Sequence, residues 1–312
     1  MQYRNFGNTT FRVSEIGLGC GWANYGPQID FSGLLRRALD LGVNFYDTAA
    51  FYNNAQSEVH LGQAFAGRRD QVIIASKFGK HITPDGLRPD WSAGFMVQTL
   101  EESLQRLQSD YIDIWQLHSP DPEVLDNAEL FAALQKAQQE GKIRYYGISL
   151  DGAQFTRDAL SRWKVQSIQS AFNLFDMQAT AVFRDLKREG AGFIARSPLD
   201  SGILGGDMLP DMPFKGEYDP RRRWGEERTR FRQALLDEIR FLLKDNNRTW
   251  AQAALQFVLS YDAVSTAICS TTNIKHLEEN VAAAGTKLSP EELQQLQGLM
   301  EGKFAELNLG WG

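Results

Sequence analysis

Short apolar runs alternate with amphipathic stretches almost from one end of the chain to the other. Met96, Leu100, Leu104 and Leu107 recur at four, four and three residues, which places one apolar stripe on a helix. Runs such as Val72-Ile73-Ile74-Ala75 are too short and too continuously apolar for that pattern and read as strands buried on both faces. The pattern predicts strands at Glu15–Leu18, Val43–Tyr46, Val72–Ala75, Tyr111–Leu117, Ile143–Ile148, Val165–Gln169, Gly192–Ala195 and Val264–Ile268. Between them it predicts helices near Leu34–Leu39, Ser57–Phe65, Met96–Leu107, Ala128–Glu140, Ala153–Trp163 and Ala179–Glu189. Further helices are expected over Glu227–Lys244, Trp250–Ser260 and Asn273–Ala284. Gly141 suits a left-handed cap at one helix end, and Ser289-Pro290 an N-cap with proline at the first turn of another. A hairpin, Gln2–Phe6 and Phe11–Val13 around Gly7-Asn8, precedes the first of these strands.

Eight strands spaced by roughly thirty residues, with helices between, demand a parallel sheet. Eight repeats favour a closed α/β (β/α)8 TIM barrel over an open doubly wound sheet, with an N-terminal β-hairpin and extra C-terminal helices. No Pro-, Gly- or Ser-rich linker divides the chain, so residues 1–312 read as one domain. The irregular stretch from Gly205 to Gly225, carrying Pro210, Pro213 and Pro220, reads as an insertion over one mouth.

Composition narrows the partners. Basic residues number 33 and acidic residues 39, a net charge of −6, which argues against nucleic acid or an anionic membrane as partner. Nowhere do eighteen apolar residues run together, and the start MQYRNFGNTT lacks an apolar export core. Cys20 and Cys269 are too few for a disulfide framework and read as reduced, buried thiols. A soluble cytoplasmic protein is expected.

The chemistry is sought at the C-terminal strand ends, where barrels gather their active groups. There the second strand ends in Asp47, with Tyr52 in its loop, the third in Lys77 and the fourth in His118. An ammonium about 4 Å from a phenol favours phenolate by roughly 4 kcal/mol before desolvation, so Lys77 is expected to lower the pKa of Tyr52. Asp47 would hold Lys77 charged, and a neutral His118 would donate to a substrate oxygen. Such a site delivers a proton to a carbonyl oxygen that is becoming an alkoxide. It contains no nucleophile with an adjacent base. His60, His81, His118 and His276 fall on separate elements, so no metal is expected, and the electrons must come from elsewhere.

Gly17-Leu18-Gly19-Cys20-Gly21-Trp22 begins like a dinucleotide fingerprint, but its sixth position is Trp22 and a long loop follows. Barrels commonly bind phosphate through the loops after strands seven and eight. Those loops are Ser197-Pro198-Leu199-Asp200-Ser201-Gly202 and Ser270-Thr271-Thr272-Asn273, both rich in hydroxyls.

Three segments carry a family likeness. They are Phe45–Tyr52 with Ser57-Glu58 and Leu61-Gly62; Ala75-Ser76-Lys77; and Ser103–Leu107 through Tyr111-Ile112-Asp113 to Leu117-His118. With them the chain resembles the aldo-keto reductases, nicotinamide-dependent (β/α)8-barrel oxidoreductases, over residues 3 to 300. The resemblance implies that Tyr52 is the general acid and that Lys77, Asp47 and His118 complete the catalytic set. It implies that Ser149 and Gln169 hold the nicotinamide amide. It also gives the phosphates to Ser197, Pro198, Leu199, Ser201, Gly202, Ser270, Thr271, Thr272 and Lys275, and adenine to Glu279 and Asn280. Gly21, Trp22 and Asp47 join the cofactor set.

Three places depart from the family pattern: Leu150 stands where the family usually has Asn, Cys269-Ser270 replaces the common Pro-Gly or Lys-Ser, and His276 stands where many members carry Arg. Lys275 and the hydroxyls of Thr271 and Thr272 remain to receive a 2′-phosphate, so NADP(H) is the expected cofactor; because that phosphate prefers a guanidinium, NAD(H) is the alternative. The substrate expected is a small polar aldehyde, ketone or sugar, bounded by His118, Trp22 and Tyr25, with Trp91 and Trp224 as further candidates. The run Arg221-Arg222-Arg223 reads as a solvated face or as an approach to cofactor phosphates or an anionic substrate. Two other readings stay open: an NAD-linked sugar or alcohol dehydrogenase, and a cofactor-sensing subunit with little turnover.

Overall fold

Phe6 and Phe11 explain how the barrel is closed at its base. The N-terminal hairpin pairs β1 (Tyr3–Asn5) with β2 (Arg12–Ser14) in antiparallel register, and its Phe6 and Val13 are fully buried. They pack among Phe45, Ile73, Ala75, Ile114, Ile194 and Ile268 inside the barrel, with Phe6 and Phe45 stacked at 6.0 Å. The hairpin is thus a plug that removes apolar surface of the strand interior from water. The structure, a computed structural model, describes residues 1–21, 30–83, 86–206, 232, 234–243 and 248–299.

The barrel strands are β3 (Ile16–Gly19), β4 (Phe45–Asp47), β5 (Ile73–Phe78), β8 (Ile112–His118), β9 (Ile143–Ser149), β10 (Ser167–Ala171), β11 (Gly192–Arg196) and β12 (Val264–Cys269). Each pairs in parallel with its neighbour, and β12 closes back on β3. The expected eight-stranded barrel is what forms. Apolar helix stripes cover it: Met96, Leu100, Leu104 and Leu107 of helix Ala93–Leu107 are all buried. Gly141 takes its left-handed φ of 77° after helix Ala128–Gln139. Helix Pro290–Leu299 lies beyond the last barrel strand, one of the C-terminal additions expected.

Three details differ from the sequence-based expectations. Strands β9 and β11 run one residue past their expected ends to include Ser149 and Arg196, whereas Asp47, Lys77 and His118 stand at the ends of β4, β5 and β8 as expected. These polar side chains break the apolar pattern because they line the mouth rather than the core. A second hairpin, β6 (Lys80–Thr83) with β7 (Gly86–Pro89), follows β5 and was not expected. Its Ile82 and Leu87 pair across the strands while exposed, so burial imposed no alternation to read. The helix expected over Ala179–Glu189 begins as a 3-10 segment, Gln178–Val182, before the α-helix Phe183–Glu189.

The expectations for Trp22, Tyr25, Trp224, Arg221, Arg222, Arg223 and the tail after Gly302 lie outside the described residues, as do residues 207–225 of the insertion. Among the described residues no helix is long and apolar enough to cross a membrane.

Candidate active site

Alternation along the strands decides what faces the mouth. Phe45, Ala75 and Ile194 lie in the barrel-interior cluster. Two residues further along the same strands, on the same face, stand Asp47, Lys77 and Arg196. Gly147 precedes Ser149 in the same way, Ser167 precedes Gln169, and Gln116 precedes His118.

Lys77 is the centre of this layer and is 1% exposed. Its Nζ donates to Asp47 Oδ1 at 2.5 Å and to the Thr48 carbonyl at 2.9 Å, and lies 5.2 Å from the centroid of the Tyr52 ring. Gln169 Nε2 donates to the other oxygen, Asp47 Oδ2, at 2.7 Å, and Ser149 Oγ donates to Gln169 Oε1 at 3.3 Å. A continuous polar chain therefore runs from Ser149 to the ammonium. Burial is the largest single influence and disfavours the charged amine, but Asp47 and Tyr52 together outweigh it, and the net effect holds the Lys77 pKa above its ordinary value.

Tyr52 reaches this layer because of the turn behind it. Asn53, Asn54 and Ala55 all adopt left-handed φ, at 51°, 50° and 67°, before helix Gln56–Ala64 begins. A run of non-glycine residues in that region is strained and persists only where surrounding packing imposes it. Here it turns the chain so that the Tyr52 ring packs edge-on against His118, centroids 5.5 Å apart, and against Phe51 at 5.2 Å. At Gly21 a side chain would meet the Tyr52 ring, with Cβ 3.3 Å from Cε2, so glycine permits the close approach.

The phenol differs from expectation in one respect. Burial is the largest influence on Tyr52 and raises its pKa; Lys77 pulls it down but does not win. Tyr52 is therefore a protonated phenol at neutral pH. The expectation of a lowered pKa counted the ammonium and underweighted desolvation.

His118 behaves as expected. Burial, then the charges of Lys77, Lys80 and Arg196, push its pKa down to about 2, so its imidazole is neutral. Its Nδ1 is buried without a hydrogen-bond partner. A stability effect follows. Unfolded histidine takes up a proton near pH 6.5 and the folded ring resists it, so this group destabilises the fold as pH falls below 6.5 towards 2. Between pH 7.5 and 5 the loss is about 2 kcal/mol. His118→Asn is expected to remove that share, read from urea-unfolding free energies of both proteins at the two pH values. Equal losses in the two proteins would refute it.

The cofactor candidates divide by place. Ser149 and Gln169 belong to the mouth layer. Across the opening, Ser270 abuts β3, where a Cβ on Gly19 would come within 2.5 Å of Ser270 Oγ. Thr271, Thr272 and Lys275 lead into helix Ile274–Val281, whose N-cap is Asn273, with the exposed Lys275 in its first turn. Glu279 and the buried Asn280 lie further along that helix. Ser197, Pro198, Leu199, Ser201 and Gly202 form the loop after β11. In it Leu199 has φ −103° while Asp200, Ser201 and Gly202 follow at 43°, 57° and 96°. A right-handed residue followed by left-handed ones turns successive amides toward one side, the geometry of an anion nest. A nest and a helix N-terminus flanking a mouth of buried amide and hydroxyl groups fit a phosphate-bearing cofactor with a carboxamide. No metal cluster occurs among the described residues.

Sequence reasoning missed the parts played by three residues. Asp200 receives both Nε and Nη2 of Arg232, at 2.5 and 3.1 Å, and both residues are buried. That bidentate pair clamps the loop from beneath. Arg196 adds a second inward-facing cation to the mouth. Its position two residues after Ile194 was a readable signal, but it directly precedes the Ser-Pro pair and was absorbed into the loop.

Comparison with known proteins gives the family. The profile described as "Aldo/keto reductase family" matches residues 16–301. An uncharacterized oxidoreductase, YqkF of Bacillus subtilis, is 31% identical over 95% of this chain and 96% of its own. The L-glyceraldehyde 3-phosphate reductase of Escherichia coli is 30% identical over 99% of this chain and 94% of its own. Among solved structures, the holo form of aldo-keto reductase AKR11C1 from Bacillus halodurans superposes with a TM-score of 0.80 at 30% identity, covering 96% of each chain. The chain belongs to the aldo/keto reductase family, and is an oxidoreductase of carbonyl substrates that works with a nicotinamide cofactor.

Proposed function

We propose that the protein, a single domain over residues 1–312, reduces small polar aldehydes, ketones or sugars reversibly, with Tyr52 delivering the proton to the carbonyl oxygen. The observation that carries this reading is the fully buried Lys77, paired to Asp47 at 2.5 Å and poised over the ring of a phenol that stays protonated. Neutral His118, at ring contact with Tyr52, donates a hydrogen bond to the same oxygen and fixes its direction. As the oxygen becomes alkoxide, the proton passes from Tyr52, and Lys77 stabilises the phenolate left behind. Asp47 keeps Lys77 in place, and Gln169 holds Asp47.

NADP(H) is the cofactor in this reading, supplying the hydride. Ser149 and Gln169 would hold its carboxamide; Ser197, Pro198, Leu199, Ser201, Gly202, Ser270, Thr271, Thr272 and Lys275 its phosphates; and Glu279 and Asn280 its adenine. Gly21, Trp22 and Tyr25 would border the substrate and nicotinamide. His276 in place of arginine keeps NAD(H) open as the alternative. The name of the Escherichia coli relative, a reductase of a short hydroxylated aldehyde, supports a small polar substrate. Two free, buried cysteines fit a reducing cytoplasm.

The test follows nicotinamide absorbance at neutral pH with NADPH and NADH separately, against a panel of aldehydes, ketones and sugars. Carbonyl-dependent oxidation of NADPH at lower KM than NADH is expected. Tight NADPH binding without turnover of any carbonyl would overturn catalysis in favour of a sensing role.

A further inference from the structure

The turn that carries Tyr52 does not hold itself. Asn53, Asn54 and Ala55 are all left-handed, and Ala55 gives helix Gln56–Ala64 no side-chain cap. Backbone bonds close the turn: Tyr52 N donates to the Ala49 carbonyl at 3.0 Å, Gln56 N to Asn53 at 3.0 Å and Ser57 N to Tyr52 at 3.4 Å. Strain of this kind persists only where neighbouring groups fix the chain from outside.

Ser57, in the first turn of that helix, is 1% exposed. Its Oγ donates to the Cys20 carbonyl at 2.8 Å and lies 2.7 Å from Thr48 Oγ1. A hydroxyl carries one hydrogen, so Thr48 is the donor in the second bond. Both partners belong to the backbone that seats the buried ion pair. The Cys20 amide donates to the Asp47 carbonyl at 2.7 Å, and the Thr48 carbonyl accepts the Lys77 ammonium at 2.9 Å. One side chain thus joins the tyrosine's turn to the ends of β3 and β4. The next residue, Glu58, is equally buried but accepts from Ser76 Oγ at 2.6 Å and pairs with Arg106 Nε at 2.7 Å. Glu58 therefore anchors the helix to β5 and to helix Ala93–Leu107, while Ser57 anchors its entry. Alanine is smaller and a better helix former, so neither space nor propensity calls for a hydroxyl at 57.

We propose that Ser57 is a positioning residue for the proton donor: its hydroxyl fixes the left-handed turn so that the Tyr52 ring stays beside Lys77 and His118. This rests on the reading of Tyr52 as general acid, and assigns Ser57 no contact with the reacting atoms. Without the hydroxyl, the Cys20 carbonyl and the Thr48 hydroxyl lose a partner and the turn relaxes. The phenol then spends less time in the geometry that transfers a proton, and displacements of about 1 Å cost rates on the order of 100-fold. Binding of cofactor and carbonyl is left in place, so the loss falls on kcat.

The test compares wild type, Ser57→Ala, Ser57→Thr, Tyr52→Phe and the double variant Ser57→Ala/Tyr52→Phe. Each is assayed with NADPH and the carbonyl turned over fastest in the panel above, with NADPH affinity measured by protein fluorescence and folding by circular dichroism. Ser57→Ala is expected to lower kcat roughly 10- to 100-fold while both KM values stay within about threefold of wild type. Ser57→Thr keeps the hydroxyl and should retain kcat to within about threefold. In the Tyr52→Phe background, Ser57→Ala should change kcat by less than about twofold, because a residue that acts through the phenol has nothing left to position. Should Ser57→Ala not fold, Thr48→Val removes only the bond donated to Ser57 and should lower kcat by about 3- to 10-fold. An unchanged kcat in the folded variant overturns the proposal, as does a loss confined to KM. Full multiplication of the Ser57→Ala and Tyr52→Phe losses overturns it as well, since Ser57 would then act independently of the phenol. In each of these cases the general-acid reading stands if Tyr52→Phe has lost its turnover. Turnover retained in Tyr52→Phe defeats that reading itself, and the proposal with it.

Discussion

Tyr52→Phe is expected to lower kcat for carbonyl reduction by roughly 100- to 10,000-fold, the range lost when a positioned general acid is removed. The substitution takes away one hydroxyl from a half-buried ring and leaves its edge-on contacts with Phe51 and His118 in place. Cofactor affinity and folding should therefore hardly change, and the loss should appear in kcat. The pH behaviour separates this role from a packing role. Because the Tyr52 pKa is raised, the phenol keeps its proton through neutral and mildly alkaline solution. Reduction should stay flat from pH 6 upward and fall only above the ordinary tyrosine value of about 10. Alcohol oxidation needs the phenolate and should rise with pH over that range. Steady-state rates of both directions in the wild type, and of the variant at pH 7, check this. A variant that retains more than about a tenth of wild-type kcat would remove Tyr52 from the proton path.

The barrel was legible because its strands are buried on both faces. Val72 to Ala75 reads as an unbroken apolar run and Ile112, Ile114, Trp115 and Leu117 give the fourth strand its apolar weight, while helix Ala93–Leu107 carries a clean stripe. Strand ends were less legible for the same reason. Asp47, Lys77 and Ser149 continue the strand geometry but point at the mouth, so polarity and position give opposite signals. The catalytic candidates could still be found, since a barrel collects chemistry where its apolar runs stop. Arg196 followed the identical rule, and only the hydroxyl-rich loop beginning one residue later drew it out of the pattern.

What the sequence could not give is the balance of opposing terms. For Tyr52 the proximity of Lys77 was inferable from strand order, but the burial that outweighs it depends on the left-handed turn at Asn53, Asn54 and Ala55. Asn53 and Asn54 are of a type that tolerates left-handed φ, but nothing local marks Ala55 or a run of three. The β6–β7 hairpin escaped because its exposed faces impose no alternation. The Asp200–Arg232 clamp joins positions 32 apart across the insertion, a pairing no local pattern encodes.

Lys77→Met is expected to destabilise the fold by about 3–5 kcal/mol, because it strands a carboxylate beneath the barrel mouth. Lys77 and Asp47 are 1% and 4% exposed at the side chain, so water cannot replace the lost ammonium. Gln169 Nε2 remains on Asp47 Oδ2 at 2.7 Å, but a neutral amide does not balance a full charge. Asp47→Asn added to Lys77→Met should restore a large part of the stability, since the pair then contains no uncompensated charge. Neither protein should recover turnover, because nothing is left to stabilise the phenolate of Tyr52. Urea unfolding of wild type, the single variant and the double variant separates the two effects. The charge argument requires the double variant to be the more stable of the two. A single variant within about 1 kcal/mol of wild type would mean that Lys77 is not what compensates the buried Asp47 carboxylate.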